Sequence, residues 1–330
     1  MRTCQAIAAT ALALCLTMTG AAVAATAPMA SDGPVTLEQL RAKYAQTGSK
    51  YMTIKGVEVH YMDEGSGSAI LMIHGSNSNL KTYDKIAAAL KDRYRVIRYD
   101  IPPTGLSGPV SDEAVKNLLP EEVPEILLTN LGIKTVTAVG VSSGGTTAMY
   151  FTARRPDMVE RLVMSNSPSS PVEDANPKQS KALAEQIAGA KGQPLKTRAY
   201  WNAFLDFFTG EPERMTPAMR EQYFDMNRHP VENQVALVAK VFVQPVALAN
   251  AAKVTCPVLL VWGARDALLV PATAETLTRF LKNAEVSKVM LPDVGHYPPL
   301  EVPERFAQIV ASYIEAVTPV KPVAPPPADR

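Results

Sequence analysis

The chain has 330 residues, with 33 Lys and Arg against 32 Asp and Glu, for a formal net charge of +1. That near balance, with no long run of one sign, excludes a basic nucleic-acid stripe and an acidic tail. The length suits one large α/β domain with an insertion, or two domains.

The N-terminus stands apart from the rest. Met1-Arg2 is a short positive start, residues 6–19 are apolar or small, and Ala22-Val23-Ala24 precedes Ala25. This pattern predicts a secretory signal peptide over 1–25, cleaved near Ala24 or Ala25. The apolar core is too short for a membrane span of ~20 residues, so no stable membrane anchor is expected. Leu14 stands where a lipoprotein signal needs a small residue before Cys15. Cys4 and Cys15 leave with the signal, and only Cys256 remains, placed before an apolar strand as a small buried residue. A periplasmic or secreted location follows.

Residues 26–50 read as a mobile leader with one short helix over 37–44. Segments 51–54 and 57–62 alternate around Lys55-Gly56, a β-hairpin pattern. The continuous apolar run 69–73 predicts a strand buried on both faces, and a helix follows over 83–92. A strand over 95–99 ends at Asp100. Residues 111–131 are helical in pattern, with Pro120 and Pro124 forcing a kink or a split. A strand over 135–141, a helix over 144–155 and a strand over 161–165 continue the series. This alternation is the mark of a mostly parallel, doubly wound sheet.

From 167 to 253 the alternation stops. Helices are expected over 178–190, 197–208, 217–226 and 231–251, an all-helical insertion rich in aromatic residues. The α/β pattern resumes with strands over 258–262 and 286–291 and helices over 273–281 and 304–316. Residues 318–330 are Pro-rich and expected to be disordered. The organisation is therefore a core over 51–166 and 254–317, interrupted by a helical cap over 167–253.

The chemistry centres on Gly140-Val141-Ser142-Ser143-Gly144. A strand that ends at a glycine-flanked serine and turns into a helix is a nucleophile elbow. Serine requires a base, and the base requires a carboxylate to hold its tautomer. Of the four histidines, His296 lies just past the last strand in Asp293-Val294-Gly295-His296, where parallel sheets build sites. Asp266, past the preceding strand in Trp262-Gly263-Ala264-Arg265-Asp266, completes the order Ser142, Asp266, His296 associated with this elbow. Asp293, Asp174 and Glu173 are the alternative acids, and Ser143 is the rival nucleophile. The oxyanion hole is expected from the backbone amides of Ser143 and of Ser76, after His74-Gly75. Trp201, Phe204 and Tyr297 are candidates for the substrate pocket. His74 reads as a structural residue beneath the oxyanion loop, His60 as remote from the site, and His229 as a satisfied loop residue. No metal is expected, since spacings such as H-E-x-x-H are missing.

On these residues the chain resembles an α/β-hydrolase of the capped group that includes esterases, lactonases, haloperoxidase-like enzymes and C–C bond hydrolases. The resemblance rests on His74-Gly75, Asp100…Gly105-Leu106-Ser107, the Gly140–Gly144 elbow, the segment from Trp262 to Asp266, and Gly295-His296. Two departures stand out. Ile101-Pro102-Pro103-Thr104-Gly105 replaces the family's more usual loop, which is expected to reshape the pocket wall. A serine stands where epoxide hydrolases and haloalkane dehalogenases of the group carry aspartate, so their alkyl-ester chemistry is not expected.

The resulting expectation is an exported, cofactor-independent serine hydrolase acting on a small-molecule carboxylic ester, lactone or thioester with apolar character. C–C bond cleavage, peroxide-dependent chemistry and aminopeptidase activity are alternatives on the same triad. A non-catalytic binding protein of the same fold is the alternative of another class. The sequence is silent on oligomeric state.

Overall fold

A computed structural model describes residues 32–168 and 180–317. The expected signal peptide, the tail over 318–330, Asp174 and Glu173 lie outside the described residues.

The chain opens with helix α1 (Leu37–Tyr44), then hairpin strands β1 (Lys50–Ile54) and β2 (Val57–Glu64). Next come β3 (Ala69–Ile73), α2 (Asp84–Leu90), β4 (Arg95–Tyr99), α3 (Asp112–Asn117) and α4 (Glu122–Asn130). The central unit is β5 (Val136–Val141), α5 (Ser143–Arg154) and β6 (Val159–Ser165). Five further helices follow: α6 (Lys181–Gly189), α7 (Arg198–Phe208), α8 (Pro217–Met226), α9 (Ala236–Ala239) and α10 (Gln244–Ala251). The described chain closes with β7 (Val258–Gly263), α11 (Pro271–Phe280), β8 (Val286–Leu291), α12 (Pro298–Glu301) and α13 (Pro303–Ala316).

The eight strands form one sheet in the order β1-β2-β4-β3-β5-β6-β7-β8. β1 and β2 pair antiparallel, and β2 joins β4 antiparallel. All later pairs are parallel. The order reverses at β3, whose neighbours are β4 and β5, and such a switch point opens a crevice beyond the carboxyl ends of the strands. Ile73 pairs with Gly140 at that end, so the residues after β3 and after β5 emerge side by side.

The central strands are buried on both faces, which is why they read as unbroken apolar runs. Leu71, Ile73 and Ala138 face a core shared with α4 and α5, whereas Ile70, Met72, Val139 and Val141 face a core with α2 and α13. Trp201, Phe204, Leu205, Phe208, Tyr223 and Phe224 of α7 and α8 join that second core. The helices after β6 are thus packed on the sheet layer by continuous apolar contact.

Two expectations change, and the choice between a kink and a split over 111–131 is decided. The segment 231–251 is not one helix: Asn233 has φ 59°, and Val243 is extended (φ −79°, ψ 104°) just before α10. Pro245 lacks an N–H and is accommodated only in the first turn of a new helix. The described part of the leader is packed rather than mobile. Val35 N donates to Arg228 O (3.2 Å), and Lys43 and Tyr44 both donate to Asp225 at 2.6 Å. The split over 111–131 falls at Pro120, while Pro124 sits in the first turn of α4, where its missing N–H costs nothing.

Candidate active site

β5 delivers Ser142 into a backbone conformation with φ 55° and ψ −130°. A non-glycine residue there costs roughly 1–3 kcal/mol and persists only when its surroundings enforce it. Ser142 N donates to Ser165 O of β6 (2.9 Å), and Ser142 O accepts from Gly145 N (2.9 Å). Close approach of the backbone does the rest. A Cβ on Gly144 would lie 2.2 Å from His74 O, and one on Gly75 would lie 2.9 Å from Ser142 Cβ. Both positions therefore require glycine for the turn to sit against the loop after β3.

Ser143 is the first residue of α5 and is fully buried. Its hydroxyl lies 2.9 Å from that of Ser76, so its side chain is engaged within the protein. Its backbone N–H, in the first turn of α5, has no intrahelical acceptor. Ser76, whose hydroxyl meets that of Ser143, lines the same cavity as Ser142. Its loop is anchored by His74, a buried residue. Ile101 N donates to His74 Nε2 (2.9 Å), so the proton resides on Nδ1, which donates to Gly75 O (2.8 Å). Burial pushes the His74 imidazole below its ordinary pKa, which favours this neutral, doubly bonded ring.

Asp266 follows β7 and has a fully buried carboxylate. Its Oδ1 accepts from Leu268 N (2.8 Å) and Leu269 N (2.9 Å). Its Oδ2 accepts from Asn166 Nδ2 (2.7 Å) and lies 2.7 Å from His296 Nδ1. An ionised carboxylate only accepts, so Nδ1 of a neutral His296 carries the proton and Nε2 is left basic. His296 N donates to Phe208 O (2.7 Å), and the ring packs against Phe208 and Tyr297 at 5.2 and 4.8 Å between centroids. Glu301 clasps this loop from below, accepting from Gly295 N (2.9 Å), Tyr297 N (3.4 Å) and Gly210 N (2.9 Å). Burial pushes its carboxyl above the ordinary range.

Ser142 and His296 line one cavity of about 400 Å³. Phe204, Phe208, Phe242, Leu268 and Tyr297 supply most of its remaining wall, and Ser76 lines it as well. The arrangement offers a hydroxyl and a carboxylate-oriented imidazole at the edge of an apolar chamber. Among the described residues, no group of three or more His, Cys, Asp or Glu side chains is placed to hold a metal ion.

The structure therefore gathers Ser142, His296, Asp266, Ser76 and Ser143, with Phe204 and Tyr297 in the cavity wall. Trp201 is placed elsewhere. One helical turn before Phe204, it packs edge-on against that ring (5.4 Å) and lines a neighbouring cavity. Asp293 is not the partner of His296: it pairs with Arg214 and Arg305. His60 is buried in a separate contact with Asp100 (2.7 Å) and Ser49 (2.8 Å), and His229 faces Val35 O (2.8 Å). Ile101 and Thr104 of the unusual loop border a small recess at Asn77 rather than the Ser142 cavity. Asn166, Phe242 and Glu301 escaped sequence reasoning, whereas Phe208 was visible as one of the aromatic residues of the helical insertion. A polar residue directly after β6 was the one signal for Asn166, and Phe242 and Glu301 carried none.

Comparison with known proteins places the chain. A model of the α/β-hydrolase fold family matches residues 68–303, and the chain belongs to that family. Kinship to the hydrolases of that family makes it a hydrolase. It is similar to the cis-3-alkyl-4-alkyloxetan-2-one decarboxylase of Shewanella oneidensis, 25% identical over 271 residues that span 75% of this chain and 82% of the relative. It is also similar to the 3-oxoadipate enol-lactonase 1 of Acinetobacter baylyi, 23% identical over 264 residues, 80% of this chain and 94% of that protein. Among solved structures, a thermophilic esterase from Thermogutta terrifontis superimposes with a TM-score of 0.63 at 22% identity, covering 82% of this chain and 99% of the esterase.

Proposed function

We propose that the protein is an exported serine hydrolase that cleaves a carboxylic ester, lactone or thioester with an apolar acyl part. The observation that carries this reading is the convergence of Ser142 and the Asp266-oriented His296 on one apolar cavity. His296 Nε2 accepts the Ser142 hydroxyl proton as Oγ attacks the carbonyl carbon. The carbonyl oxygen becomes an oxyanion held by the Ser76 and Ser143 amides, aided by the positive end of α5. Collapse breaks the bond to the leaving oxygen or sulfur, which takes the proton from His296. Water, deprotonated by the same imidazole, then releases the acid and restores Ser142. The helices over 181–251 act as the cap that closes the chamber, and residues 1–25 act as the export signal.

The family contains members with other chemistries, as the decarboxylase relative shows. The aliphatic and aromatic wall around Ser142 supports an apolar acyl group, and the Ser142 nucleophile supports an acyl-enzyme. A panel of p-nitrophenyl esters of graded chain length, with lactones and an acyl thioester alongside, tests the assignment. Turnover by the wild type that His296→Ala reduces by about 10³-fold or more is the expected result. Lack of turnover on every substrate, or full activity in His296→Ala, would overturn it.

A further inference from the structure

Three consecutive amides carry the His296 side chain, and all three are held. His296 N donates to Phe208 O (2.7 Å). On either side of it, Gly295 N and Tyr297 N donate to Glu301 Oε1 at 2.9 and 3.4 Å. The other carboxylate oxygen, Oε2, accepts from Gly210 N (2.9 Å). Phe208 is the last residue of α7, and Gly210 lies just beyond it. The exit of α7 therefore grips the His296 backbone twice, once directly and once through Glu301. The two segments touch backbone to backbone: a Cβ on Gly295 would lie 2.5 Å from both Gly210 N and Phe208 O.

Chemistry explains why a carboxylate stands at this bridge. The Glu301 side chain has no exposed surface, and Arg214 Nη1 stands 3.7 Å from its Oε2. Burying such a group is costly unless its oxygens are satisfied, and here N–H groups donate to both. Only an ionised carboxyl group presents acceptors on both oxygens, whereas a glutamine of the same shape has one acceptor and one donor. In its place, a glutamine would set N–H against N–H on one side of the bridge. Arg214 also pairs with Asp293 of the same loop, but both side chains are partly exposed, and such pairs contribute little.

We infer that Glu301 is a positioning residue for the reaction: it locks the His296 loop to the exit of α7, so that the imidazole is in place only while residues 208–210 are docked. Glu301 does not line the Ser142 cavity and acts through His296. The inference rests on the reading of His296 as the base.

Glu301→Gln keeps the volume and breaks one side of the bridge. On a p-nitrophenyl ester its kcat should fall about 10–100-fold with KM nearly unchanged, while Asp293→Asn stays near wild type. The far-downfield proton resonance of His296 Nδ1–H should be sharp in the wild type and in Asp293→Asn, and broadened in Glu301→Gln. A residue serving the fold alone would lower the melting temperature and leave kcat and that resonance unchanged, which would overturn the inference. Hydrogen exchange of the wild type, followed by NMR, needs neither a folded variant nor a substrate. Gly210, Gly295 and Tyr297 should exchange with one common opening constant. Constants for Gly210 and Gly295 that differ by more than about tenfold would overturn the lock. If the wild type turns over no ester, the base reading falls instead, and the exchange experiment decides the lock on its own.

Discussion

Asn166 Nδ2 lies 2.7 Å from Asp266 Oδ2, the same oxygen that faces His296 Nδ1 at 2.7 Å. Asn166 also has φ 40°, and its Oδ1 accepts from Gly263 N (2.9 Å). One amide thus ties the end of β6 to the end of β7 and fixes the carboxylate that orients the base. Replacing it separates backbone from side chain: Gly tolerates the positive φ, Ala does not. Asn166→Gly and Asn166→Ala should both lower kcat by about 10–100-fold, with KM nearly unchanged. Steady-state kinetics on a p-nitrophenyl ester checks this, and wild-type kcat in Asn166→Gly would limit Asn166 to a backbone role.

Asp266→Asn keeps the shape of the group and an acceptor for Leu268 N and Leu269 N. It places an amide where His296 Nδ1 needs an acceptor, which inverts the imidazole tautomer. The expected loss is about 10³–10⁴-fold in kcat, with a small change in melting temperature. Asp293→Asn, at the alternative carboxylate, should lose far less activity, because Asp293 is engaged with Arg214 and Arg305.

Gly75→Ala introduces a Cβ 2.9 Å from Ser142 Cβ. One or the other must shift, moving either the nucleophile or the Ser76 amide. Misplacement on the order of 1 Å can cost about 100-fold in rate. Kinetics and thermal unfolding measured together should show activity falling much further than stability.

The docking of α1 on α8 makes a pH prediction. Burial alone would raise the Asp225 carboxyl, but hydrogen bonds from Lys43, Tyr44 and Arg228 outweigh it and hold the group below the usual carboxylate range. A lowered folded-state pKa stabilises the fold fully above the unfolded value of about 3.9, and that stability is lost as pH falls through the folded value. Asp225→Asn should therefore cost about 3 kcal/mol at pH 7, since it removes the carboxylate against the buried Arg228 guanidinium. In urea unfolding, the gap to wild type should narrow in acid. A gap that is constant with pH would show that the charge on Asp225 contributes nothing.

Much of the sheet was legible because its strands are short apolar runs closed by turn residues. The strands at 69–73, 95–99 and 286–291 fall where the sequence pattern put them. Ser142, His296 and Asp266 were legible for a related reason: each follows a strand, and a parallel sheet brings those ends together. Asn166 was hidden, because its meaning lies in a contact with a residue one hundred positions away. Trp201 and Phe204 lie on the same stretch of α7, and only packing decides that one faces Ser142 and the other faces the neighbouring chamber. The leader reads as mobile in sequence because its short helix buries little by itself. Its partners, Asp225 and Arg228, lie far along the chain.

The central claim is that Ser142 is the nucleophile. Incubation of the protein with a fluorophosphonate, followed by peptide mass spectrometry, tests it most directly. One phosphonyl adduct on Ser142, lost in Ser142→Ala and strongly slowed in His296→Ala, is the predicted result. An adduct on Ser143 or another residue, or an unmodified protein after prolonged exposure, would contradict it.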